Sequence, residues 1–106
     1  MLNIPSEERL EKIPRLHASR HLNYLYRKIY LHFFLNSSDW YVAEFDGDDT
    51  FFGYVALGSS GNAEWCFFSF RELKALNING VEVDCEPEDV WEPIRWLHIP
   101  GIMWRN

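Results

Sequence analysis

Phe45-Asp46-Gly47-Asp48-Asp49-Thr50 stands between two apolar runs, Trp40-Tyr41-Val42-Ala43-Glu44 before it and Phe51-Phe52-Gly53-Tyr54-Val55-Ala56-Leu57 after it. Asp-Gly between aromatic and β-branched residues signals a hairpin, because Asp-Gly supplies the positive backbone dihedrals a tight reversal needs. The stretch therefore predicts strands over 40–45 and 50–57, paired antiparallel. Downstream, Gly58-Ser59-Ser60-Gly61-Asn62 has the composition of a second reversal, and 63–68 reads as the next strand. Upstream, 29–35 is apolar and aromatic enough for a fourth strand, with Asn36-Ser37-Ser38-Asp39 as the intervening turn.

Helix signals flank this meander. Ser6 can cap a first helix whose opening turn carries Glu7 and Glu8, with Pro14 limiting it. Ser69-Phe70-Arg71-Glu72 forms a capping box leading into Leu73 and Leu76, and Asn79-Gly80 ends that helix or opens a strand over 81–85. Residues 15–26 carry Leu16, Leu22, Leu25 and Tyr26 at roughly helical spacing. The fold expected is α+β, an antiparallel meander of four to five strands with two to four short helices, in one domain over 1–106.

The chain has 106 residues, of which 47% are apolar and 17% aromatic, too hydrophobic for intrinsic disorder. Adjacent rings such as Phe51 and Phe52 must point to opposite faces of a sheet. Either both faces are covered internally, by the N-terminal helix and the Trp-rich tail, or some rings form an interface. Trp91, Ile94, Trp96, Leu97, Ile99, Ile102 and Trp104 pose the same choice: a lid on the sheet, or a seam of a symmetric homodimer that also includes Arg95 and Arg105.

Charge narrows the partners. The net charge of −6 divides into +3 over residues 1–35, −11 over residues 36–94 and +2 over residues 95–106. So acidic a surface disfavours nucleic acid, leaving only a weak contact through the basic N-terminal third, and favours a protein partner with a basic surface. No apolar run approaches the roughly 20 residues that span a bilayer, and no secretory signal pattern is present, so a cytoplasmic location without membrane contact is expected. Cys66 and Cys85 form neither a metal knuckle nor a disulfide framework and are expected as free thiols.

The segment from Trp40-Tyr41 through Glu44-Phe45-Asp46-Gly47-Asp48-Asp49 and Phe51-Phe52-Gly53, followed by Glu64 and Phe68-Ser69-Phe70-Arg71-Glu72-Leu73, resembles a small family of bacterial domains carried on plasmids and other mobile elements. The resemblance spans about residues 26–84. It implies a common sheet and recurrent polar positions at Glu44, Asp46, Gly47, Asp49, Glu64, Ser69 and Glu72, and brings no activity with it. Cys66-Phe67 departs from the family's Gly-Tyr, adding a side chain beside Glu64 and removing a phenolic hydroxyl.

The candidate functional surface is accordingly Trp40, Tyr41, Glu44, Asp46, Asp49, Glu64 and Glu72. Period-two spacing places Glu44 and Asp46 on one strand face, and Glu64 joins them if the register allows, which would suit metal-dependent hydrolysis. The spacing of a calcium loop is absent, and no cofactor, metal or catalytic residue is assigned. His17 and His21, four apart, make half a zinc set if helical. His32 reads as a packed strand residue with one hydrogen bond. Two function classes stay open: a non-enzymatic protein-interaction or accessory domain, and the carboxylate-based hydrolase.

Overall fold

The computed structural model describes residues 1–58 and 61–104, without the side chain of Trp104. Ser59 and Ser60 of the second expected turn, and Arg105 of the expected seam, lie outside the described residues. The chain is α+β, with nine strands among the described residues: β1 Lys28–Ile29, β2 Leu31–Leu35, β3 Ser38–Phe45, β4 Thr50–Ala56, β5 Ala63–Ser69, β6 Asn77–Ile78, β7 Val81–Glu82, β8 Asp84–Cys85 and β9 Ile94–Arg95. Two helices, α1 Glu7–Glu11 and α2 Phe70–Ala75, and three single 3₁₀ turns complete it. The central antiparallel sheet has the order β5-β4-β3-β2-β8, while β1 pairs with β9 and β6 with β7.

The decisive hairpin forms as expected, through a different device. Gly47 alone takes a positive φ, +90°. Asp46 holds the loop with its carboxylate, whose Oδ1 accepts from the amides of Asp48, Asp49 and Thr50 at 2.8–3.0 Å. The preceding turn is shorter than expected. Asn36, at φ +52°, lets β3 begin at Ser38, so Asp39 enters the strand opposite Phe34. Asn79 and Gly80, both at positive φ, close the β6–β7 hairpin, which splits the strand expected over 81–85.

A β-bulge between Val42 and Glu44 inverts the alternation of β3. Trp40, Val42 and Phe45 face one core with Phe33, Phe51 and Val55; Tyr41 and Ala43 face the other with Tyr54. The bulge lies beside Gly53, which pairs with Val42 and where a Cβ would collide with the Tyr41 carbonyl. Only glycine fits so close an approach.

Both faces are covered within the chain. Ile13, Phe70 and Leu73 pack over the first, and Trp96, Ile99 and Ile102 over the second. Trp96 is fully buried, so this part of the tail is a lid on the sheet, while Leu97 of the expected seam is exposed. Trp96→Ala should then cost about 3–5 kcal/mol, as for large aromatic truncations in cores. Urea denaturation at two protein concentrations checks it: a loss of that size independent of concentration marks an intramolecular lid, whereas a concentration-dependent midpoint marks an interface.

Candidate functional site

The residues singled out by sequence separate in space. Glu44 pairs with Phe52 on the face of the second core, whereas Glu64 pairs with Val55, which faces the first. Asp46 lies beyond the strand, in the turn. The three carboxylates thus share no cleft, and among the described residues no group of three or more His, Cys, Asp or Glu side chains could hold a metal ion. Trp40 and Tyr41 are buried in opposite cores. Glu64 and Glu72 are exposed.

Glu44 is completely buried, and the loop preceding the sheet is folded onto it. Its carboxylate accepts from the His17 amide at 2.7 Å, from the Ser19 amide at 3.1 Å and from the Ser19 hydroxyl. Arg20 Nε donates to it at 3.1 Å and Arg20 Nη2 lies 3.0 Å away. Burial opposes ionisation, but the bonds from Ser19, His17 and Arg20 outweigh it and hold the carboxyl below its usual range. This clamp explains why 15–26 is not a helix: His17 is drawn to φ +73° to present its amide. Consequently His17 and His21 share no helix face.

Asp49 anchors α2. Its carboxylate accepts from the Ser69 hydroxyl at 2.6 Å and the Arg71 amide at 2.7 Å, while Ser69 Oγ accepts from the Glu72 amide. The expected capping box is thus half present: Ser69 caps the Glu72 amide, and Asp49 takes the Arg71 amide of the same first turn. Hydrogen bonds lower both turn carboxyls: the Asp48 amide leads for Asp46, the Ser69 hydroxyl for Asp49. His32, expected to make one hydrogen bond, makes two, with Asp39 and Glu86 at 2.7 Å each, while stacking on Tyr41 at 4.4 Å.

The surface that sequence missed runs along β5. Only β4 pairs with β5 among the described residues, so its seven residues form a sheet edge. Phe67 is 51% exposed there, and Tyr24, also exposed, meets Trp65 edge-on at 6.3 Å. Arg20 lies over Phe52 at 3.5 Å and within 5.3 Å of Phe67, and Arg27 lies over Trp65 at 4.8 Å. Burial and neighbouring Arg20 push the Arg27 guanidinium down from its ordinary value, against the pull of Glu44. Two guanidiniums around one carboxylate give the Trp65–Phe67 face of this edge a local positive excess, with Glu64 on the opposite face. The Arg and Trp types were visible in sequence; their meeting depends on strand pairing and on the Glu44 clamp.

No family model, curated protein or solved structure matches this chain.

All three lowered carboxyls confer stability that is present above their unfolded values, near pH 4, and is lost as pH falls through the folded ones. Glu44→Gln should therefore flatten the acid limb of a stability–pH profile and cost about 3 kcal/mol at neutral pH, since it breaks a largely buried ion pair. Urea titrations between pH 7 and pH 2 check it; an unchanged acid limb in the variant would refute the clamp.

Proposed function

We propose that this chain is a non-enzymatic protein-interaction domain that takes up an extended, acidic segment of a partner protein along the outer edge of β5. The observation that carries this reading is the edge itself: seven residues long, bordered by exposed Phe67 and partly exposed Trp65, and flanked by Arg20 and Arg27. An unpaired strand edge offers main-chain donors and acceptors that an added strand satisfies, and its side chains select the sequence. Rings capped by guanidiniums favour apolar residues alternating with Asp or Glu. The free thiols Cys66 and Cys85 support a reducing, cytoplasmic setting. Among the described residues no helix is long and apolar enough to cross a membrane.

Charge also favours a foreign segment over a second copy. Antiparallel pairing of β5 with its copy about an axis normal to the sheet would put both Arg20–Arg27 pairs on the same face, with like charges approaching. Selection from a displayed library of random dodecapeptides tests the reading. The expected winners alternate apolar and acidic residues, shift the amide resonances of Ala63–Ser69, and lose binding at least tenfold when alternate peptide amides are N-methylated. Winners that map elsewhere, or no winners, would overturn it. Concentration-dependent dimerisation in light scattering, with β5 amides protected, would replace the foreign partner by a second copy.

A further inference from the structure

On the far side of the sheet from this edge strip, α1 and residues 86–93 enclose a second feature that the interaction reading leaves unused. A groove of about 380 Å³ is lined by Arg9, Lys12, Tyr30, Glu88, Trp91 and Pro93, with Glu92 also in its wall. Volumes of this order suit a small organic molecule. Arg9 is 93% buried, leaving 7% exposed. One terminal nitrogen, Nη1, donates to the Glu86 carbonyl at 2.8 Å; the other, Nη2, is buried and meets no acceptor among the described residues.

The acids around Arg9 are engaged elsewhere. The Glu86 carboxylate binds His32 at 2.7 Å, Asp84 accepts from the Asn3 amide group at 2.9 Å, and Glu88 lies 3.5 Å from Lys12. Among the described residues no carboxylate forms an ion pair with Arg9. Its other close neighbour is the Cys85 sulfur at 4.0 Å, and burial, against the pull of Arg9, pushes that thiol up to about 11, so it carries no charge at neutral pH. A buried guanidinium without a counter-charge is costly, and a bound anion removes that cost.

We infer that this groove binds a small organic carboxylate, with the Arg9 guanidinium as the buried counter-charge and Trp91, Tyr30 and Pro93 as walls for an apolar body. Several features select this class. The Trp91 ring is fixed in place by its Nε1–H bond to the Ile29 carbonyl at 3.1 Å. The Tyr30 phenol, pushed further up from its ordinary value by burial, is a hydrogen-bond donor. Glu88 and Glu92 at the rim repel dianions, which disfavours phosphate relative to a single carboxylate.

Titration of the ¹⁵N-labelled full chain with phenylacetate, phenylacetamide and inorganic phosphate at neutral pH tests the inference. Phenylacetate should displace the Trp91 indole and Arg9 side-chain resonances saturably, at least tenfold more tightly than either of the others. Arg9→Met should abolish the response. Because that variant alters a buried residue, Glu88→Gln, on the exposed rim, provides the second arm: it should tighten phenylacetate binding two- to threefold by removing a repelling charge. Equal binding of phenylacetamide would reduce the groove to an apolar cleft and overturn the inference. So would phosphate binding as tight as phenylacetate, an Arg9→Met variant that folds and still binds, or no saturable shift. None of these outcomes bears on the β5 edge, whose test uses different resonances.

Discussion

A carboxylate placed in the interior of a small domain has to be surrounded by donors, and Glu44 imposes that requirement on the rest of this chain. Desolvating an isolated carboxylate costs several kcal/mol even after relaxation, so a buried Glu persists only where hydrogen bonds and a counter-charge converge on it. Here both come from one short stretch, His17 to Arg20, which leaves its own secondary structure to supply them. A helix over 15–26 would have spent the Ser19 amide on the Arg15 carbonyl four residues back. The sheet wins because two backbone amides, a hydroxyl and a guanidinium together satisfy one buried charge.

The bulge next to Glu44 couples this local chemistry to the global packing. By adding one residue to β3 it turns Glu44 toward the second face and Phe45 toward the first, where Phe45 meets Phe51 at 4.7 Å. Gly53 opposite makes room for the displaced backbone. With Glu44 on that face, Arg20 is pulled across Phe52 toward the β5 edge, where the exposed part of its guanidinium stands beside Phe67. The mixed aromatic and cationic character of the edge is therefore a by-product of satisfying a core carboxylate.

Much of the fold was legible because it rests on local rules. Asp-Gly and Asn-Gly turns, the Ser6 and Ser69 caps and the aromatic runs all act within a few residues, and each produced an element near its expected place. The candidate site was legible only as a list of residue types. Glu44 and Asp46 follow the same parity in sequence, yet one is a core anchor and the other a turn former, because β3 ends at Phe45. Glu64 sits on the opposite face through a register no composition reveals. Arg9 carries a weak signal, standing one helical turn before buried Ile13 on the face of α1 that packs inward. The helical spacing of 15–26 misled because the competing interaction lies some 25 residues away.

The two sheet edges are treated unequally, and that asymmetry bears on function. At the β8 edge the strand is two residues long, Leu2 bridges to Asp84, and the terminal ammonium pairs with Glu82 at 2.6 Å, so the main chain there is occupied. At the β5 edge seven residues carry Trp65, Phe67 and Phe68 with a single charge, Glu64. Soluble proteins usually guard long edges with several charges, prolines or a covering segment, since an open apolar strand invites unwanted pairing. The chain had such segments to use: the tail crosses the second face, where Trp96 meets Trp65 at 6.3 Å, and α1 lies by the first, yet among the described residues neither pairs with the β5 main chain. An edge with no second paired strand among the described residues, while both faces and the opposite edge are closed, is what the proposed strand addition requires.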